Sequence, residues 1–330
     1  MNNKRSSNNK LSICVPTYNR AELLKGCLEN TIPQTRKYSI PIYISDNAST
    51  DNTAQVVLEF QKIYPFIYYS CNAVTFSPDY NFKHVLKMSQ CEYAWLLGDR
   101  SRIIDGAIEQ ILNIVNHDNY DLIVVNGGEF KSLYSEDLIP KVKNLETRVF
   151  RNHNDFLREL GWHITWMSCL IFGQKVRHCG DFDSFEGTSF IHVGVVLKYL
   201  SETDFSVYWD STMRAYNVKT VASGWAVNNL VFENFAFKWY QLIQSVPQYE
   251  EKARLASLKG IAFGNKIFSL KSMLYLRAIG QYDLNILKKY GICLSYTTNI
   301  PKIILVIIAI TPPIFLNMLR TLRRVLFKSN

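Results

Sequence analysis

The residue whose setting first indicates chemistry is Asp99, which follows a run of apolar and aromatic residues at 93–97 and one glycine. Such a run predicts a buried parallel strand. Ligands of open α/β sheets bind beyond the carboxyl ends of strands, so this carboxylate stands where a ligand would bind. The alternative is that Gly98 and Asp99 form only a turn after the strand.

Two upstream loops carry polar side chains at the same kind of position. Residues 16–20 follow an apolar run at 11–15, and residues 46–51 follow another at 40–45. If these two strands and the one at 93–97 are neighbours in a parallel sheet, all three loops project from one edge. The side chains gathered there would include Asp46, Asp99 and Tyr18.

Helices must alternate with strands to build such a sheet, and the hydrophobic spacing predicts this alternation through residue 126. Ser49 or Thr50 is expected to cap the second helix. The pattern predicts an α/β fold with a Rossmann-like, mostly parallel sheet and helices on both faces. The predicted strands are 11–15, 40–45, 66–70, 93–97 and 120–125, and the predicted helices are 21–31, 52–64, 77–89 and 105–115.

After residue 127 the alternation fades into a polar segment, and mostly helical patterns follow, so a helical C-terminal extension is expected. The predicted elements are a helix at 154–160, a strand at 164–172, a loop at 173–187, and helices at 189–200, 228–240 and 249–270.

The block at 13–20 (ICVPTYNR), the block at 45–51 (SDNASTD) and the strand into Asp99 resemble glycosyltransferase family 2, with its A-type nucleotide-sugar fold. The resemblance covers about residues 11–126. It implies that the first loop and Asp46 contact the nucleoside of a nucleotide diphosphate sugar, and that Asp99 lies beside the diphosphate. The helix start at 77–82 also resembles the family. By this resemblance the donor-binding residues are Pro16, Thr17, Tyr18, Asn19, Arg20, Asp46, Asp79, Asp99 and Arg100.

The sequence departs from the family pattern at the diphosphate. Family members hold it through a divalent metal and an Asp-x-Asp motif, whereas this chain reads Asp99, Arg100, Ser101. Mg²⁺ or Mn²⁺ could still be held by Asp99 with Ser101 and the diphosphate oxygens. Alternatively, Arg100 could neutralise the leaving diphosphate directly. The sequence leaves both open.

Residues 182–193 resemble the abequosyl- and other deoxyhexosyltransferases of O-antigen assembly. In family 2 an acidic residue just before the corresponding helix accepts the proton of the acceptor hydroxyl. The resemblance makes Asp183 and Glu186 candidates for this catalytic base, and His192 in the helix is a third. Alternatively, the two carboxylates only favour the helix N-terminus.

Basic residues are concentrated near the C-terminus of a chain whose formal net charge is +9. No acidic residue follows Asp283, and an apolar run at 303–316, interrupted by two prolines, lies beside the basic residues. This pattern favours an in-plane anchor on an anionic membrane surface over a full span or a nucleic-acid groove. Burial against the catalytic domain is the alternative. Scattered cysteines and the lack of a signal peptide favour the cytoplasm, on the inner face of the cell membrane.

Together these features predict a membrane-associated transferase. It would move a sugar, with inversion, from a nucleotide diphosphate sugar to a hydroxyl of a lipid-linked saccharide in cell-surface polysaccharide (O-antigen or capsule) assembly. The alternative is a catalytically silent nucleotide-sugar-binding subunit. The expected regions are a flexible N-terminus (1–10), a donor-binding half (11–126), an acceptor-binding catalytic half (127–240), and a helical region with a membrane-associating tail (241–330).

Overall fold

The computed structural model describes residues 10–131, 135–219 and 230–318. The chain divides into two compact units, one of Met1–Phe156 with His163–Lys219 and the other of Leu157–Trp162 with Thr220–Asn330. The four regions predicted from the sequence were defined by their activities. The two compact units do not test those boundaries, which stay predictions.

The first unit is built on one ten-stranded sheet. Its strands are β1 Leu11–Thr17, β2 Ile42–Asp46, β3 Ile67–Cys71, β4 Tyr93–Leu96, β5 Ser101–Ile103, β6 Leu122–Phe130, β7 Leu138–Pro140, β8 Arg148–Phe150, β9 Leu170–Gly173 and β10 Val207–Asn217. The main path runs β3-β2-β1-β4-β9-β6-β10-β5, with β7 paired to β6 and β8 paired to β10.

The three strands that lead into the polar loops are parallel neighbours, as predicted. β1 lies between β2 and β4, with Thr17 opposite Asp46 and Cys14 opposite Leu96. Every residue of β1 is buried, which fits a central strand covered on both faces. The loops after these strands therefore leave the sheet at the same edge.

The strand predicted at 164–172 was wrong in its first part. Two short 3₁₀ turns, His163–Thr165 and Met167–Cys169, precede β9. The backbone carbonyl of Ser168 accepts a hydrogen bond from the indole of Trp95 at 2.9 Å, and the Ser168 hydroxyl accepts one from Gly98 N at 2.9 Å. These side-chain contacts replace the ladder that a longer strand would need.

Four further strands, β5, β7, β8 and β10, were not predicted. β5 is only three residues long, and β10 carries polar residues and two register shifts, between Asp210 and Met213 and between Met213 and Ala215. β10 lies parallel to β6 and antiparallel to β5.

The helices beside this sheet follow the predicted order. The Ser49 and Thr50 caps were wrong, because Asp51 Oδ1 accepts the hydrogen bond from Thr53 N at 3.0 Å. The loop predicted at 173–187 contains a helix, and its Arg177 is 1% exposed. These helices are α1 Ala21–Arg36, α2 Thr53–Ile63, α3 Pro78–Met88, α4 Ala107–His117, α6 Gln174–Cys179 and α7 Ile191–Glu202, whereas α5 His153–Leu160 begins in the first unit and ends in the second.

The second unit is helical where it is described. The ring of Phe232 stacks on Phe268, Tyr282 and Tyr290 at centroid distances of 5.6, 5.6 and 6.1 Å. The helix predicted at 249–270 is two helices, because the Ser269 side chain caps a new one. The elements are a π-helix at Phe232–Lys238, α8 Trp239–Gln244, α9 Glu251–Phe263, α10 Leu270–Ala278, α11 Leu284–Thr297 and α12 Lys302–Ile310.

Within residues 10–131, 135–219 and 230–318, no helix has both the length and the apolar character needed to cross a membrane.

Candidate active site

Asp99 is the centre of a small polar cluster at the end of β4. Its Oδ2 accepts a hydrogen bond from Thr17 Oγ1 at 3.1 Å, and its Oδ1 accepts one from Arg20 Nη1 at 3.1 Å. Thr17 ends the neighbouring strand β1, and Arg20 immediately precedes α1. The parallel pairing of β1 and β4 therefore brings together residues that are about eighty positions apart in the chain.

Two cationic side chains, those of Arg20 and Arg100, lie close to the Asp99 carboxylate. Burial raises the pKa of Asp99, an effect that the charge of Arg20 only partly offsets. Burial and the nearby charge of Arg20 both lower the pKa of Arg100. The Nε of Arg100 is buried and has no hydrogen-bond partner among the described residues. Two arginines and one carboxylate leave a net positive charge, which suits an anionic ligand.

The loop after β2 is held by its own carboxylate. Asp46 is 1% exposed. Its Oδ1 accepts from Ser49 N at 2.9 Å, and its Oδ2 accepts from Tyr69 Oη at 2.7 Å. Ala48 has a φ of +62°, so the turn is tight. This arrangement fixes the first turn of the loop at the sheet edge.

The loops after β1 and β2 are bonded to each other. Asn19 N donates to Ser49 Oγ at 2.8 Å, and Thr50 N donates to Asn19 Oδ1 at 2.7 Å. Tyr18 follows the buried Thr17 and is 43% exposed. Its ring is therefore free to contact a ligand, whereas Pro16 is buried within β1.

Asp79 has a different place from the one predicted. Its Oδ2 accepts from Ser189 N at 2.8 Å and its Oδ1 from Ile191 N at 3.3 Å, and it is 1% exposed. Both oxygens are thus used at the start of α7, so Asp79 positions that helix rather than facing a ligand. Asn81, on the same helix α3, donates to the carbonyls of Thr17 and Ser45 at 3.3 and 3.1 Å. The start of α7 is thereby tied to the sheet edge that carries the loops after β1 and β2.

The three candidate bases differ in exposure. Asp183 has 80% of its side chain exposed and forms an ion pair with Lys83. Glu186 is also exposed and accepts from Ser77 Oγ at 3.4 Å. His192 is 3% exposed, with Nε2 at 3.3 Å from Thr165 O, and burial lowers its pKa to about 4. The structure therefore favours the two carboxylates over the histidine.

These loops lie within the part of the chain that matches a known family. The model of "Glycosyl transferase family 2" matches residues 12–179, just over half of the chain. The chain belongs to glycosyltransferase family 2.

Two curated family 2 relatives illustrate the similarity. Abequosyltransferase RfbV of Salmonella typhimurium is 30% identical over 204 residues, which are 57% of this chain and 60% of the relative. GalNAc(5)-diNAcBac-PP-undecaprenol β-1,3-glucosyltransferase of Campylobacter jejuni is 32% identical over 108 residues, which are 32% of this chain and 35% of the relative. The chain thus matches less than two thirds of the length of either relative.

The fold is similar to that of solved structures over most of the chain. TarS residues 1–349 of Staphylococcus aureus, in complex with UDP-GlcNAc, superimposes with a TM-score of 0.58 at 13% identity. The match covers 88% of this chain and 84% of the TarS chain. At this identity the likeness shows the fold alone, and it confirms the predicted A-type architecture with a helical C-terminal region.

The metal that the family motif implies does not fit the residues present. Both oxygens of Asp99 already accept hydrogen bonds, and a second cation, Arg100, stands where the motif has its middle residue. Ser101 is fully buried, and its hydroxyl contacts Ser168 Oγ at 2.8 Å and Asn217 Oδ1 at 2.7 Å. Hard divalent cations need oxygen ligands that are turned towards them and are not already paired with cations.

Sequence reasoning missed three residues of this region. Ser168 and Asn217 hold Ser101 from distant parts of the chain, and no periodic pattern pointed to either. Tyr69, which donates to Asp46, lies opposite Ile44 on the neighbouring strand β3. The predicted strand at 66–70, which contains Tyr69, was the one signal that could have pointed to it.

Proposed function

We propose that this family 2 protein transfers a sugar from a nucleotide diphosphate sugar to a hydroxyl group of a saccharide. The observation that carries the proposal is the joining of three strand-end loops at one sheet edge. Thr17 and Arg20 bond the loop after β1 to Asp99 after β4, and Asn19 bonds it to Ser49 and Thr50 after β2. The exposed ring of Tyr18 would contact the nucleoside, and Asp46 would hold the adjoining loop in place through Ser49 N and Tyr69 Oη. The net positive charge beside Asp99 would receive the diphosphate.

The proposed reaction is a direct displacement at the anomeric carbon, with inversion. Glu186 or Asp183 would take the proton of the acceptor hydroxyl, because both are exposed and precede α7. Asp79 and Asn81 support this arrangement, since they join the start of α7 to the ends of β1 and β2. A positioned carboxylate base contributes about 10²-fold to 10⁴-fold to such a step.

The proposed acceptor is a lipid-linked saccharide in cell-surface polysaccharide assembly. The names of the two curated relatives support it, because one is an abequosyltransferase and the other names an undecaprenol-linked acceptor. A chain that acts on a lipid-linked acceptor benefits from lying at a membrane surface.

The membrane-facing surface would be the exposed stripe of α12. Ile303, Ile307 and Ile310 are 66%, 52% and 56% exposed, and their spacing puts them on one helix face. The opposite face is core, since Leu305 is 2% exposed and Tyr282 Oη donates to its carbonyl at 3.1 Å. Because no acidic residue follows Asp283, an anionic lipid surface is the partner with complementary charge. We propose that the protein lies in the cytoplasm, peripherally on the inner face of the cell membrane.

Substitution on this stripe tests the membrane proposal better than deletion, because deleting α12 would also remove core residues. The triple variant Ile303→Ser, Ile307→Ser, Ile310→Ser should lose flotation with anionic liposomes while keeping its melting temperature. The matched control is Leu58→Ser, at a 51% exposed leucine of the first unit, which should still float. Unchanged flotation of the triple variant would refute the assignment of this surface.

The catalytic proposal is tested by nucleotide binding followed by transfer. A thermal-shift screen with uridine, cytidine and guanosine diphosphates should raise the melting temperature with one of them, because a ligand at 100 times its Kd stabilises by about 2.7 kcal/mol. No shift with any of the three would refute the donor site. Binding without transfer or donor hydrolysis, in the presence of lipid-linked saccharide extracts, would instead favour the silent binding subunit.

A further inference from the structure

We infer that Arg20 and Arg100 bind the donor diphosphate directly, without a bridging divalent cation. The inference rests on the proposed function and concerns only how the diphosphate is held. It follows from the disagreement between the family motif and the residues that surround Asp99.

Asp99 acts as a positioning residue in this arrangement. Its carboxylate accepts hydrogen bonds from Thr17 Oγ1 and Arg20 Nη1, both at 3.1 Å, so each oxygen has a donor of its own. About half of the Arg20 side chain remains exposed. This contact therefore fixes the guanidinium through Nη1, while its other N–H groups can donate to a ligand. A guanidinium offers five donors in a planar fork, which matches two phosphate oxygens at once.

Arg100 supplies the second cation. Its backbone is fixed, because Val218 N donates to the Arg100 carbonyl at 3.0 Å. Its side chain is partly buried, and its Nε is enclosed without an acceptor among the described residues. A buried donor without an acceptor is destabilising unless a ligand supplies one. A phosphate oxygen is the acceptor that this charge and this position favour.

The position of the missing carboxylate supports the same conclusion. Ser101 begins β5, and its side chain points into the core with that of Ile103, where Ser168 and Asn217 hold its hydroxyl. A metal ligand at this position would have to break both contacts. The two arginines would instead neutralise the charge of the diphosphate, a task for which the family uses a metal ion.

The chemical step balances without a further reactant. The bond between the anomeric carbon and the diphosphate oxygen breaks, and its electron pair stays on that oxygen. The acceptor oxygen forms the new bond to the anomeric carbon, and its proton passes to Glu186 or Asp183. Arg20 and Arg100 stabilise the negative charge that develops on the leaving diphosphate in the transition state.

The test is calorimetry with the nucleoside diphosphate that the thermal-shift screen identifies, in EDTA and again with Mg²⁺ or Mn²⁺. For the full-length wild-type protein, we expect affinities that agree within about threefold across these conditions. Arg100→Ala should weaken binding about 10-fold to 100-fold, because a hydrogen bond to a charged group is lost. Binding of the nucleoside without phosphates should not change. Arg100→Lys should give an intermediate loss, since it keeps the charge but not the fork.

Arg36→Ala is the matched control. Arg36 is exposed at the far end of α1, about 24 Å from Arg20 along the helix axis, and should leave the affinity unchanged. Binding that disappears in EDTA and returns with the metal would overturn this inference but leave the transferase proposal intact. Absence of nucleotide binding under every condition would overturn both. An Arg100→Ala variant with normal affinity would show that Arg100 does not touch the diphosphate.

Discussion

Asp99→Asn separates the two possible tasks of this carboxylate, holding a metal ion or holding Arg20. If Asp99 were a metal ligand, loss of its charge would abolish metal-supported nucleotide binding. If it positions Arg20, the variant should bind the nucleoside diphosphate within about threefold of wild type, because both arginines remain. Transfer should still fall about 10²-fold, since a neutral amide holds the Arg20 guanidinium less firmly than a carboxylate does, and a misplacement of about 1 Å has that effect.

The same variant should leave the fold nearly unchanged. An asparagine can present its oxygen to Arg20 and its amide to Thr17, whose hydroxyl can accept as well as donate. The lost ion pair is half exposed on the Arg20 side and is worth at most about 1 kcal/mol. Burial raises the pKa of Asp99, which means that its charged form is disfavoured, so removal of the charge offsets part of that loss. We expect a change in melting temperature of no more than about 4 °C.

The assays are differential scanning fluorimetry, calorimetry and timed transfer of labelled sugar, all on the full-length chain. Arg20→Gln, which removes the cation but leaves Asp99, should lose both affinity and rate. The reasoning is refuted if Asp99→Asn keeps normal transfer, since Asp99 would then only close a turn. It is equally refuted if the variant unfolds, because the charge would then be structural.

Three further predictions concern other residues of the first unit. Asp46→Asn should weaken nucleotide binding about 10-fold by calorimetry, because the charged acceptor that holds the loop after β2 is lost, and unchanged affinity would remove Asp46 from the site. Of Glu186→Gln and Asp183→Asn, one should lower kcat about 10²-fold with donor affinity unchanged, and two variants with normal turnover would place the base elsewhere. The pKa of His192 falls from 6.5 to about 4 on burial, so the unfolded chain binds the extra proton between these values. Stability should therefore be complete above pH 6.5 and fall by on the order of 3 kcal/mol as the pH drops to 4. Denaturant titrations should show that His192→Gln reduces this fall, whereas the exposed His117→Gln does not.

The parallel half of the sheet could be predicted from the sequence because its strands are buried on both faces. β1 and β2 are wholly buried, so they appear as continuous apolar runs that end at polar loops. Strands β5 and β10 lack this signal. β5 has three residues, and β10 alternates irregularly around two register shifts, so tertiary pairing decides their structure.

The residues of the candidate site also differ in how far the sequence could predict them. The loops after β1 and β2 were predictable because their residue types carry the chemistry. The role of Asp79 was not, because the N–H groups that it binds lie 110 and 112 residues further along the chain. Residue types indicate which groups can act, whereas distant hydrogen bonds decide which of them are already occupied.

The choice between a metal ion and arginines at the diphosphate depends on one such distant contact. Read as a sequence, Asp99, Arg100 and Ser101 allow either answer, because a serine hydroxyl can serve as a ligand. In the structure, β5 begins at Ser101 and pairs with β10, where Asn217 lies directly opposite and accepts its hydrogen bond at 2.7 Å. Side chains alternate along a strand, so Ser101 and Ile103 point inwards. The pairing that fixes Ser101 in the core therefore removes it from the diphosphate site. The arginines beside Asp99 are then the groups best placed to neutralise the leaving charge.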